Sequence, residues 1–254
     1  FIKQKEKVAK EVGVDFRIYK FDENISQDDL RKEVVKLANL KKVGGIIVQL
    51  PLPAHVNAQY VLNAIPRGKD IDVLGERALG AFYADRNPIL PPSVATVEEL
   101  LSVVGCRLSV MKVAVVGLGQ LVGKPISVWL MKKCKELYLL DQESDLSILK
   151  QADLVICGVG KAGIIKPAML KESASVIDFG YGINHETYNM KHETYEKEYE
   201  NKIKISGDFD PSDVTSYMSQ VTCFYTPTPG GTGPVLVAKI FENFYTLNNE
   251  NESR

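Results

Sequence analysis

The chain has 254 residues, Lys+Arg 31 against Asp+Glu 32, a formal net charge of -1 and 45% hydrophobic residues. Such a length suits one large or, preferably, two medium domains with ample core, and the balanced charge gives no electrostatic reason to expect nucleic acid or an anionic membrane as partner, so a small molecule fits better. No apolar run reaches the roughly 18 residues a bilayer span needs and no signal peptide is visible, so a soluble, cytoplasmic protein is expected.

In chain order, residues 1–12 have helical composition and stop at Gly13, a C-cap signal. A charged helix with no start signal is expected to follow something upstream, such as a first strand. Ser26 with Asp29 predicts an N-cap for a helix ending near Leu40, and Gly45-Ile46-Ile47-Val48 reads as a buried strand. Asn57 to Ile65 reads as an amphipathic helix closed by Pro66. A first α/β unit is therefore expected over 1–92, with the closing helix, about 230–247, packing back on it.

The second unit, 93–229, opens with a helix from Thr96 to Val104. Lys112 to Gly117 is a strand running into Gly119 and Gly123, then a helix from about Lys124-Pro125, where proline costs little. Strands follow at Leu137–Leu140, ending on Asp141, at Asp153–Cys157 and at Ala174–Asp178. Strands alternating with helices at this spacing predict a doubly wound parallel sheet. Residues 184–202 are polar and carry His-Glu-Thr-Tyr twice. His185 and His192 sit seven apart, too far for one ion on a helix, so an exposed insertion is the reading, with no metal site. Residues 248–254 read as a disordered tail. Cys106, Cys134, Cys157 and Cys223 lack CxxC spacing and read as reduced packing residues.

Three segments stand out for chemistry. Val48-Gln49-Leu50-Pro51-Leu52-Pro53, Lys69-Asp70-Ile71-Asp72 and Thr226-Pro227-Thr228-Pro229-Gly230-Gly231-Thr232-Gly233-Pro234 each end an apolar run with stiff turn residues, which puts a cleft where a sheet opens. Separately, Gly117-Leu118-Gly119-Gln120-Leu121-Val122-Gly123 between a strand and a helix is the context of a dinucleotide fingerprint, although spaced GxGxxxG: glycines for the turn and for close approach of pyrophosphate, helix amides for phosphate. Asp141 lies near the separation of about 20 residues at which an acid holds the adenosine ribose, which favours NAD over NADP. The plainer alternatives stay open here: a glycine turn with no ligand, and an aspartate that starts a loop.

Together these segments resemble the methylenetetrahydrofolate dehydrogenase/cyclohydrolase family over nearly the whole chain, with VQLPLP, KDID and TPTPGGTGP in the same order. The resemblance implies two α/β domains, the second a Rossmann-like doubly wound parallel sheet, with folate in the interdomain cleft, and a homodimer through the cofactor-binding domain. It implies oxidation of 5,10-methylenetetrahydrofolate by NAD or NADP and hydrolysis of the methenyl product to 10-formyltetrahydrofolate. The family's catalytic lysine falls on Lys5, with Gln49 holding it and Asp72 accepting from pterin N–H groups. Phe1, Leu50, Pro51, Pro229, Gly230 and Gly231 complete the implied substrate contacts. The implied cofactor contacts are Gly117, Leu118, Gly119, Gln120, Val122, Gly123, Asp141, Gly158, Gly180, Ile183 and Thr232.

Taken singly, Lys5 reads as a solvated helix lysine, and Gln49 and Asp72 as turn caps. The chain also departs from the family pattern. Phe1 stands where a tyrosine is usual, Val73 follows KDID where the family has glycine, Ala78 aligns with an asparagine, and Pro91-Pro92-Ser93-Val94 replaces PCTP. Leu118-Gly119 replaces Arg-Ser, removing a cation suited to the NADP phosphate. Two alternatives follow: an NAD-dependent dehydrogenase with weak or no cyclohydrolase activity, and a non-catalytic folate- or dinucleotide-binding protein.

Overall fold

The computed structural model describes residues 2–186, 202–212 and 224–252, so Phe1, Cys223, His192 and most of the expected polar insertion lie outside the described residues. The chain divides into two units, Phe1–Ser102 with Pro234–Arg254, and Val103–Gly233.

In the first unit, α1 (Ile2–Glu11) buries only Lys5 and Ala9, four residues apart on one face. It ends at Gly13, which takes the left-handed φ of +75° that a helix stop requires. Ala9 packs with Val237 and Phe241 of the closing helix α7 (Thr232–Glu252), flanked by Val8, Val14 and Phe16. The rings of Phe16 and Phe241 meet edge-on at 6.4 Å, and the Tyr245 hydroxyl donates to the Val12 carbonyl. Each large apolar side chain buried there contributes about 1.5–3 kcal/mol. That seam holds α1 in place.

Helix α2 (Gln27–Asn39) starts at Ser26, whose Oγ accepts the Asp29 amide at 3.1 Å. Its far end is closed by Lys69, whose Nζ donates to the carbonyls of Ala38 at 2.7 Å and Leu40 at 2.9 Å, a cation on orphaned helix carbonyls. The segment Gly45–Val48 is not the buried strand its apolar run predicts. It is half-buried, and the one bridge described for it is Ile46 with Asp70. A ladder needs a continuous partner, and here the pairing stops after the Ile46 amide bonds the Lys69 carbonyl at 2.8 Å. Helix α3 is short (Ala58–Leu62), capped by Asn57, and Ala64 and Ile65 continue only as tight three-residue turns. Helix α4 (Glu76–Tyr83) has no counterpart in the sequence reading, and α5 (Pro92–Val103) begins a turn before Thr96, with Pro92 in the first turn.

The second unit carries the expected parallel sheet. Strands β1 (Lys112–Val116), β2 (Glu136–Leu140), β3 (Leu154–Cys157) and β4 (Ser175–Asp178) lie in the order β2-β1-β3-β4, all parallel. Continuous apolar runs make such strands, because both faces are covered. In register, Val116 sits opposite Leu140 on one side and Cys157 on the other. Helix α6 (Gly123–Leu130) follows β1. The chain leaves β1 for one side of the sheet and later returns to the other, so the ends of β1 and β3 flank a switch point, where open α/β sheets bind ligands. Gly182–Glu186 (β5) and Lys202–Ser206 (β6) pair antiparallel. Their polar sequence hid this pairing.

The expected disordered tail is corrected as well: α7 continues to Glu252. Once packed, a helix adds one hydrogen bond for each residue it orders, and the Asn248 side chain fixes it further by donating to the carbonyls of Phe244 at 2.6 Å and Gly44 at 3.3 Å. Among the described residues no helix is long and apolar enough to cross a membrane.

Candidate active site

Lys5 is 4% exposed. It shares the inward face of α1 with Ala9, so its methylenes lie on apolar surface while the amine reaches a polar partner. That partner is Gln49: Nζ donates to its Oε1 at 3.3 Å, and the Gln49 amide is oriented by donating from Nε2 to the Leu50 carbonyl at 2.9 Å. Gln49 and Pro51 are exposed, Leu50 is half-buried, and the Leu50-Pro51 peptide is cis.

Asp72 completes the group electrostatically. Burial pulls the Lys5 amine below its usual range, and the Asp72 charge opposes that fall. Burial pushes Asp72 up to about 6, Lys5 opposes the rise, and the Asp70 charge adds to it. Each group therefore moves toward neutrality, as ionisable groups drawn out of water do. The solvated-lysine reading of Lys5 is excluded, and three residues from distant parts of the sequence come together.

The loop carrying Asp72 is fixed by side chains that sequence reasoning did not single out. Asp70, 1% exposed, accepts the amides of Leu74 at 3.1 Å and Gly75 at 2.8 Å. Asn243 of α7 donates to the carbonyls of Ile71 and Leu90, each at 2.9 Å. Asp70 with Asn63, which accepts the Glu76 amide at 2.9 Å, also supplies the start of α4, whose N-cap Gly75 has no side chain to do so.

Val73 in this loop has φ +56° and is 0% exposed. A left-handed β-branched residue costs about 1–2 kcal/mol, whereas burying a valine contributes about 1.5–3 kcal/mol, so its packing offsets its strain. In urea unfolding, Val73→Ala, which keeps most of the strain and loses the packing, is expected to lower stability by about 2 kcal/mol. Val73→Gly is expected to be no less stable than the alanine variant, the reverse of the usual order. A glycine variant clearly weaker than alanine would refute the strain.

In the second unit, Gly117 has φ +86°, and a Cβ there would lie 2.9 Å from Val159 Cγ2 and 3.0 Å from the Gly158 carbonyl. Gly123 opens α6 so close to the turn that a Cβ would lie 1.9 Å from the Gly117 carbonyl oxygen. Both glycines are therefore imposed by the backbone. Gly119, by contrast, would place a Cβ in open space, and it is exposed together with Gln120. Leu118 and Val122 are half-buried, with Gly158 packed on Val122 Cγ1. Asp141 stands exposed at the end of β2, its amide bonded to Ser144 Oγ at 2.9 Å.

Gly180 is buried, and Ile183 lies on β5 opposite Ile205. The Thr232 hydroxyl, 6% exposed, donates to the Asp178 carbonyl at 2.8 Å, so it holds the protein's own backbone. Pro229 and Gly230 are exposed, and Gly231 is needed because a Cβ would lie 2.4 Å from the Pro227 carbonyl oxygen.

Family models described as tetrahydrofolate dehydrogenase/cyclohydrolase match the chain, the catalytic domain over residues 1–72 and the NAD(P)-binding domain over residues 91–252. The bifunctional protein FolD of Mycoplasmopsis synoviae (strain 53) is 32% identical over 251 residues, covering 97% of this chain and 83% of the relative. That of Staphylococcus carnosus (strain TM300) is 31% identical over 245 residues, covering 96% and 79%. Among solved structures, the Trypanosoma brucei N5,N10-methylenetetrahydrofolate dehydrogenase-cyclohydrolase (FolD), complexed with NADP cofactor and inhibitor, superposes with TM-score 0.86 at 25% identity, covering 100% of this chain and 82% of that one. The bifunctional FolD enzyme of Campylobacter jejuni superposes with TM-score 0.82 at 28% identity, covering 98% and 83%.

Proposed function

The chain belongs to the tetrahydrofolate dehydrogenase/cyclohydrolase family, and on that premise we propose that it oxidises 5,10-methylenetetrahydrofolate with NAD(P)+ and hydrolyses the methenyl product to 10-formyltetrahydrofolate. The observation that carries this reading is the buried Lys5 amine bonded to Gln49 and electrostatically coupled to Asp72.

In the hydrolytic step water adds to the bridge carbon, and the C–N5 bond breaks. Burial holds the Lys5 amine below its ordinary pKa, which favours its acting as a base; it accepts one proton of the attacking water and, as ammonium, returns it to the departing N5, while the remaining hydroxyl proton leaves to solvent as the formyl C=O forms. Gln49 restricts the amine to one direction through its oriented carbonyl. Asp72, ionised above about pH 6, accepts hydrogen bonds from the pterin amino and ring N–H groups.

For the oxidation, a bound nicotinamide supplies the acceptor for the hydride of the methylene bridge. The residues after β1 fit a dinucleotide: Gly117 makes the turn into α6, and Gly119 leaves open space over the backbone. We propose NAD as the preferred form, supported by the exposed Asp141 carboxylate at the end of β2 and by Leu118-Gly119, which brings no cation for a 2′-phosphate. Asp141→Ser is expected to lower the NAD-over-NADP ratio of kcat/KM by about tenfold, as loss of a charge-assisted hydrogen bond should. An unchanged ratio removes that role.

The same reading includes a homodimer through the nucleotide-binding unit, supported by the sheet-edge position of β2, whose Leu139 is 42% exposed. It also includes a cytoplasmic setting, supported by the free thiols Cys106, Cys134 and Cys157.

The test is a spectrophotometric assay of methylenetetrahydrofolate with each nucleotide, alongside a separate assay of methenyltetrahydrofolate hydrolysis. Both activities are expected. No nucleotide reduction with either form overturns the proposal, and reduction without accelerated hydrolysis leaves a dehydrogenase alone.

A further inference from the structure

Two buried carboxylates in the second unit have no part in the chemistry above. Asp178, at the end of β4, and Asp208 are 1% and 0% exposed. With Cys157 they form a group whose ligand atoms lie within 4.8 Å of one another. Their oxygens are already turned to N–H and S–H donors, which a cation would have to displace, so the group is better explained by what those donors belong to.

Asp208 accepts the amides of Val159 at 2.5 Å and Lys161 at 2.8 Å, on separate oxygens. Asp178 accepts Gly180 N–H at 2.6 Å and the Cys157 thiol at 3.3 Å on one oxygen, and Phe209 N–H at 2.9 Å on the other. Burial, and then the two neighbouring carboxylates, push the Cys157 thiol well above its usual value, so it stays a donor. The packing leaves no slack: a Cβ on Gly180 would lie 2.3 Å from Asp208 Cγ, and one on Gly207 would lie 2.0 Å from Asp178 Oδ2. The Asp178 main chain is itself tied, its amide donating to Thr226 Oγ1 and its carbonyl accepting from Thr232, each at 2.8 Å.

The loops after β3 and β4, the 207–209 segment and the 226–232 loop thus converge on two side chains at the ligand-binding end of the parallel sheet. We propose that Asp178 and Asp208 are positioning residues of the nucleotide site, fixing the main chain of residues 158–161 and 179–182 against which the dinucleotide lies. This rests on the dehydrogenase reading of the unit. The carboxylates act through the backbone amides they hold and exchange no proton with substrate.

Asp208→Asn keeps the shape but leaves one acceptor oxygen for two amides, and turns an NH2 group toward an N–H donor. KM for NAD or NADP is expected to rise at least tenfold, with kcat at saturating nucleotide retained within about threefold and methenyltetrahydrofolate hydrolysis within about twofold. Asp178→Asn, which sets its NH2 against Gly180 or Phe209, carries the same expectation if the first variant does not fold. A KM unchanged in a folded variant overturns the inference, and so does hydrolysis falling in step with nucleotide affinity. Failure of both variants to fold overturns it too, since the pair would then specify the fold rather than the site. A nucleotide-induced thermal shift of the unsubstituted protein separates the two levels: no shift with either nucleotide sinks the dehydrogenase reading, whereas an equal shift in protein and variant sinks only this inference.

Discussion

Replacing Lys5 with methionine is expected to slow methenyltetrahydrofolate hydrolysis by about a thousandfold while leaving the fold intact, because a positioned proton-transfer group contributes about 10²–10⁴ in rate. Methionine matches the length and slenderness of the lysine stem and fills the same space on the face shared with Ala9. The fold should tolerate the change, since burial already disfavours the Lys5 ammonium. The folded pKa lies below 10.5, so the protonated amine costs stability that is regained as pH rises through the folded value toward the unfolded one. Methionine removes that cost. Following methenyl absorbance in the variant, with far-UV circular dichroism on the same sample, separates lost chemistry from lost structure. Unchanged hydrolysis would mean that another group moves the proton.

Asp72→Asn is expected to act on activity and stability in opposite directions. The asparagine cannot offer a charged acceptor to the pterin N–H groups, and kcat/KM should fall by about a hundredfold, as loss of two charge-assisted bonds implies. Stability at pH 7 should rise by about 2 kcal/mol. Asp72 goes from 3.8 in the unfolded chain to about 6 when folded. The native state therefore binds the proton more tightly; stability is highest below about pH 4, falls as pH rises through about 6, and stays reduced above it. The full shift corresponds to about 3 kcal/mol. Asp72 is only half-buried and losing its charge leaves Lys5 without an opposing carboxylate, so the smaller figure is the one expected. Urea midpoints at pH 4 and pH 7 check it: the gap between variant and unsubstituted protein should open at the higher pH. A variant weaker at pH 7 would show that the carboxylate sits comfortably in its surroundings.

What the sequence discloses here follows the range of the interactions. Strands β1 to β4 are continuous apolar runs whose partners are further strands of the same kind, so each announces itself locally. Gly117 and Gly123 are legible for the same reason, as the strand and helix they join are adjacent in the chain. The apolar run Gly45–Val48 carries the same local signal, yet among the described residues its one bridge is Ile46 with Asp70, and a strand needs a neighbour to pair with along its length. Helix α4 is the converse: its start is capped by Asp70 and Asn63 from outside, so nothing at Gly75 marks it.

The site divides along the same line. Lys5, Gln49 and Asp72 were legible through motif order, but the burial of Lys5 depends on α1 being seated against Val237 and Phe241, far along the chain. Asn243, which steadies the Asp72 loop from 172 positions away, leaves no mark that a window of neighbouring residues could register.

Lys69, Asp70, Ile71 and Asp72 are contiguous, yet Lys69 closes α2, Asp70 begins α4, the Ile71 carbonyl is held by α7 and Asp72 acts on Lys5. This stretch is therefore not a portable cassette. A chimera that imports it into another scaffold receives four residues without the four helices that give them their tasks, and one that replaces it here with a relative's version must bring matching partners from all four.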